Sequence, residues 1–240
     1  MSNKIKFWTS ETYLKEKKDF PKPIKVNIPD WFKKLEHVPG SKTVKGCIPF
    51  LETLTTGYVL SLPQDFHLQH NLIVNRERIT RFVPSLIEKE NTNINIEREK
   101  ELHPNGQFLN SPLDKKNLNL PAHKILNPWF IKTPPGYSCL FVPPLNNSDD
   151  RFSIIPGIVN TDTFGHEINF PFIVNGDKYP VLDTILEKGT AYVQVIPFKR
   201  DSWEMEIGPK PKEDRLNLWY YSLNKIHIYK KKIWDKQNWK

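Results

Sequence analysis

The sequence predicts a mainly β protein: a single compact, jelly-roll-like barrel or sandwich with Pro-rich extensions and a C-terminal helix or arm. Three observations carry this. The 240 residues hold 21 prolines and only 10 glycines. Proline breaks helices and central strands, so it predicts many short extended segments joined by rigid turns. Between 125 and 198, apolar β-patterns recur at fairly regular spacing, with Pro and Gly between them. The hydrophobic content is 38%, and 14 Phe, 8 Tyr and 7 Trp supply much buried area per residue.

Residues 1–42 alternate charge, aromatic and Pro, and form an N-terminal extension. Within it "KIKFW" suggests a short strand. "TSETYLKEKK" offers Thr9 or Ser10 as an N-cap to a short helix, with acidic residues before basic ones. "FPKPIKVNIPDWFKKL" is extended and ends in one amphipathic turn around Trp31 and Phe32. The β-rich body spans 43–225. It opens on "TVKGCIPFLETLTTGYVLSLP", apolar and then strongly β, followed by the alternating strand "FHLQHNLIV". Residues 88–118 are rich in Asn, Lys and Glu and predict a long loop or mobile insertion. The dense β-pattern follows: "ILNPWFIKT", "YSCLFVPP", "FSIIPGIV", "EINFPFIV" and "TAYVQVIPF". Residues 226–240 form a basic, aromatic C-terminal arm. No internal repeat, heptad array or second domain stands out.

The formal net charge is +8, which suits an anionic partner such as nucleic acid, a nucleotide or an acidic protein surface, and equally a soluble basic protein with none. Cys47 and Cys139 are too few for a disulfide scaffold and lack metal-site spacing. A reducing, cytoplasmic setting fits them. The opening "MSNKIKFWTSETYLKEKK" has no apolar signal core, and no apolar run approaches membrane-spanning length, so a soluble protein without membrane contact is expected.

Three motifs fall in order. "PPGYSCLFVPP", "GIVNTDTFG" and "GTAYVQVI" resemble, respectively, the strand before the substrate loop, the glycine–isoleucine–aspartate–x–aspartate–tyrosine–x–glycine hairpin and the late glycine–x–x–x–x–glutamine strand of the dUTPase and dCTP deaminase superfamily. The resemblance covers residues 134–198 and not the N-terminal half. It implies a β-clip fold and, by analogy, a trimer. It places Asn160, Phe164 and Gln194 at binding positions. The family's chemistry does not carry over with it. A dUTPase has a water-activating aspartate where this chain has Asn160, and an amide takes up no proton at neutral pH. The aromatic that packs on deoxyribose would fall at Thr163, with Phe164 one place later. The phosphate-gripping arginine and serine would fall at Pro144 and Leu145. The deaminase glutamate would fall at Phe170, and the glycine-rich closing arm is missing. The resemblance therefore implies a scaffold kept and a catalytic site lost. The whole chain also resembles uncharacterised phage proteins, which implies a viral setting, host cytoplasm or virion, but no chemistry.

Other polar groups suggest chemistry by residue type. Asp162, His166 and Glu167 form the best candidate acid–base cluster, although adjacent strand residues diverge. His67 and His70 lie three apart on an alternating strand, which sends them to opposite faces. Cys139 sits mid-strand, where a buried thiol is expected. Lys230, Lys231, Lys232, Lys236 and Lys240 interleave with Tyr229, Trp234 and Trp239. Such a tail could grip nucleic acid, or dock Trp234 and Trp239 on a neighbouring subunit, the favoured expectation.

The sequence thus predicts a non-catalytic assembly or binding protein, a homo-oligomer with the trimer favoured or a larger assembly, needing no cofactor or metal. The alternative is a nucleotide-processing enzyme with a rearranged site at Asp162, His166 and Glu167, which would take Mg²⁺ with its nucleotide. An oxygenase-like β-helix enzyme ranks last, because no His-x-Asp or His-x-Glu pair occurs.

Overall fold

Short-range signals decide the first elements. The computed structural model describes residues 3–15, 20–36, 43–71, 80–84, 102–103, 105–116, 122–147, 149–209 and 229–240. The expected first strand is β1 (Lys6–Trp8), and the expected short helix is α1 (Glu11–Leu14). The Leu14 N–H donates to the Ser10 carbonyl at 3.2 Å, and Glu11 lies at the positive end of the helix. β2 (Lys22–Pro23) leads through a 3-10 turn at Ile24–Asn27 to α2 (Asp30–Lys34), which buries Phe32. Trp31, Phe32 and Phe50 pack together with ring centroids 5.6 to 6.0 Å apart.

α3 (Ile48–Thr55) stands where the sequence reads as the lead-in to a β-run. Pro49 fits a helix's first turn, where its missing N–H would be unpaired anyway. Ile48 and Leu54 face inward. Gly57 then turns the chain into β3 (Tyr58–Ser61). Its φ is +81°, and a Cβ there would meet the Val195 carbonyl oxygen at 2.1 Å, so both conformation and space demand glycine.

The later elements are β4 (Phe66–Asn71), β5 (Thr80–Pro84), β6 (Leu102–His103), α4 (Pro112–Lys116), β7 (Ala122–Ile125) and β8 (Phe130–Lys132). β9 (Tyr137–Val142), β10 (Phe152–Ile154), β11 (Gly157–Val159), β12 (Phe170–Val174), β13 (Val181–Leu186) and β14 (Ala191–Lys199) complete them. The fold is mainly β, with every strand pair antiparallel. Among the described residues four sheets form, in the orders β11-β9-β14-β3-β2, β10-β12-β7-β6, β13-β4-β5 and β1-β8.

The expected mainly β fold takes the form of separate sheets rather than a closed barrel: among the described residues each sheet keeps two open edges. The strands are short, and prolines fall both inside interior strands, as Pro171 in β12 and Pro197 in β14, and at sheet edges. Pro23 and Pro84 lie in the edge strands β2 and β5, where a missing N–H costs no internal hydrogen bond.

The core lies between the five-stranded and four-stranded sheets. Phe141 of β9 meets Phe170 of β12 at 5.3 Å between centroids, and Phe170 meets Tyr192 of β14 at 5.6 Å. Tyr192, Val193, Gln194 and Val195 are all at most 1% exposed, so β14 is buried on both faces. Where 88–118 is described, it contributes β6, a 3-10 turn at Asn105–Phe108 and α4 rather than a plain loop. Residues 85–101 lie outside the described residues, as does any helix over 210–228. The tail carries one π-helical turn, Tyr229–Ile233, closed by the Trp234 N–H on the Tyr229 carbonyl at 2.8 Å. No helix among the described residues is long and apolar enough to cross a membrane.

Candidate functional site

The loop after β11 carries most of the residues singled out from sequence. β11 pairs with β9, setting Val159 opposite Cys139. The chain then turns sharply: the Thr163 and Phe164 N–H groups both donate to the Asn160 carbonyl, at 3.0 and 2.8 Å. Thr161 is fully buried beneath the turn. Its hydroxyl lies 2.7 Å from that of Thr133 and 3.4 Å from the Cys139 sulfur. Burial pushes the Cys139 thiol up to about 11, so it stays protonated and inert at neutral pH.

Asp162 is the loop's inward carboxylate. Both Arg200 guanidinium nitrogens Nη1 and Nη2 reach its two oxygens, Nη1 at 2.8 Å, and the Gly136 N–H donates to Oδ2 at 2.8 Å. The side chain is 6% exposed. The Arg200 guanidinium, opposed by burial and aided by the Gly136 N–H, holds the Asp162 carboxyl far below the usual carboxylate range. Gly136 supplies that N–H from a turn in which its φ is +81°. Arg200 also donates to the Tyr137 carbonyl at 2.8 Å and to the Ser138 hydroxyl at 3.0 Å. Ser138 in turn donates to Oδ1 of Asn160 at 2.8 Å. Asn160, Ser138, Arg200, Asp162 and Gly136 thus form one latch, tying the loop to the start of β9 and the end of β14.

The three residues of the candidate acid–base cluster are not brought together. His166 and Glu167 are exposed, and His166 meets only the Phe164 ring edge, at 6.0 Å. No hydrogen bond among the described residues joins either to Asp162. What the loop presents outward is an open depression of about 500 Å³ lined by Ile158, Val159, Asn160, Thr163, Phe164 and Gly165, without a charged side chain. Ile158 is 64% and Phe164 39% exposed.

Gln194 lies away from this depression and is fully buried. Its amide donates to the Thr53 and Thr56 carbonyls at 3.1 and 2.7 Å and accepts from the Leu145 N–H at 3.0 Å. It fastens α3 and the turn after β9 to the centre of the sheet. The tail tryptophans lie on the chain's own body: Trp234 Nε1 donates to Glu52 at 2.7 Å, and the Trp239 ring stands on Tyr58 at 5.8 Å. Lys230, Lys231 and Lys232 are exposed beside them. On β4, His67 reaches Asp183 of β13 at 2.6 Å, and Gln69 takes the other carboxylate oxygen at 3.0 Å. The His70 side chain lies outside the described residues.

Sequence reasoning missed Arg200 and Ser138. One signal was available: arginine is scarce beside lysine in this chain, and a two-pronged grip on a carboxylate needs the guanidinium fork. Arg151 holds Asp149 in the same way, with Nε and Nη2 at 3.0 and 2.8 Å. No family model, curated protein or solved structure matches this chain.

Proposed function

We propose that the protein is a non-catalytic assembly or binding protein, built on a dUTPase-like β scaffold and working as a homo-oligomer, with the trimer favoured. The observation that carries this is the latch. General-base chemistry needs a carboxylate free to accept a proton. The loop offers the amide of Asn160, held by Ser138, and the carboxylate of Asp162, held by Arg200 and Gly136. Spent in this way, these side chains fix the loop's shape. Its outer face is left uncharged and partly apolar, which suits contact with another protein surface better than turnover of a charged nucleotide. The viral setting and the trimer rest on resemblance alone.

The test is turnover. Purified protein should neither hydrolyse nor deaminate pyrimidine nucleoside triphosphates above background, with or without Mg²⁺. His166 and Glu167 are exposed, so His166→Gln and Glu167→Gln variants should fold. Turnover that disappears in either variant would establish the nucleotide-processing alternative.

A further inference from the structure

Residues 201–209 follow β14 without assigned secondary structure, and every one of them is exposed. Trp203 is 91% exposed, Met205 82% and Ile207 86%. They alternate with Ser202, Glu204, Glu206 and Gly208, the two-residue period of a strand with one apolar face. Among the described residues no hydrogen bond or ring contact joins 202–209 to the rest of the chain. Three large apolar side chains presented together to water mark a surface suited to a covering partner.

We propose that this segment adds as a strand to the β11 edge of a second copy of the chain; the inference rests on the assembly reading above and names its contact. The acceptor is drawn by the edges of the five-stranded sheet. At one edge, β2 carries Pro23, which blocks further pairing. At the other, β11 is Gly157, Ile158 and Val159, with no charged residue to guard it. Gly157 and Ile158 are exposed, and the uncharged depression beside Phe164 opens next to them.

The donor's chemistry matches. Nine extended residues span about 30 Å, enough to reach across a neighbouring sheet edge. The apolar side of the arm meets Ile158 and Phe164, with room in the depression for a large ring. Glu204 and Glu206 give the arm an acidic side against a chain of net charge +8. Arg200 pins the root of the arm to Asp162, so each copy offers donor and acceptor at one corner of its sheet.

The test uses the full chain, a Trp203→Ser/Met205→Ser/Ile207→Ser variant and an Ile158→Asp variant, each compared by sedimentation mass. The altered side chains are exposed, so circular dichroism should report an unchanged fold. The expected result is an oligomer for the full chain and single-chain mass for each variant. Mixing the two variants should restore a two-chain complex, because one keeps its arm and the other its edge. An arm variant that keeps the full oligomer overturns this inference and leaves the assembly reading standing. An Ile158→Asp chain that still assembles overturns the edge pairing. A full chain that sediments as a single chain overturns both the inference and the reading it rests on.

Discussion

Buried His123 should make the fold sensitive to mild acid. His123 in β7 is 8% exposed and packs against Phe172, with centroids 5.8 Å apart. Burial holds its imidazole down to about 4, so the fold favours the neutral ring. The unfolded chain takes up the proton first, near pH 6.5. The His123 contribution is therefore complete above about 6.5 and lost as pH falls toward 4, by at most roughly 3 kcal/mol. His123→Gln should flatten the slope of unfolding free energy over that window, as followed by denaturant melts at several pH values. An unchanged slope would place the acid sensitivity elsewhere. Asp162 acts in a lower window: its carboxyl is held below the ordinary range, so its contribution persists at neutral pH and goes only in strong acid. These roles were poorly legible in the sequence. Asn160 could be singled out in the sequence as an amide at the head of the loop, but its partners could not. Ser138, Gly136 and Arg200 reach the loop across 22, 26 and 38 positions of sequence, joined only by strand register.

At the scale of elements, alternation was a good guide where a strand buries at least one face. β4, β9 and β12 lie within segments read as strands, and β14 exceeds its segment by only Lys199. β13 escaped notice because its outward face is Val181, Asp183 and Ile185, so the apolar and polar sides do not separate cleanly. α3 was missed because its Ile, Phe and Thr residues favour strands as well, and Pro49 reads as a breaker when it stands in the first turn. The junction of α3 with β3 depends on one position. Gly57→Ala must strain φ and also push aside the Val195 carbonyl oxygen, and should cost about 2–4 kcal/mol. Gly189 has a φ of +87° with nothing within 4 Å of its would-be Cβ. Gly189→Ala should therefore cost only about 1 kcal/mol. Equal losses in urea melts would show that backbone approach at Gly57 contributes nothing.

At the scale of the whole molecule, the most exposed large apolar side chains among the described residues are Trp203, Met205 and Ile207, after β14. The tail is different, because Trp234 and Trp239 are already spent on Glu52 and Tyr58 of the same chain. The sequence pointed to aromatic-rich tail residues as docking anchors; it could not show that Trp234 and Trp239 contact the chain's own body while, among the described residues, 202–209 make no hydrogen bond to it. Assembly through apolar strand pairing should respond weakly to salt, unlike a lysine-driven contact with nucleic acid. The measurement that tests the account most directly is the sedimentation mass of the full chain and of a chain ending at Lys225, each at low and high salt. The account predicts one multi-chain mass, shared by both chains and steady across salt. A single-chain mass for the full-length protein, or an oligomer lost only when the tail is removed, would contradict it.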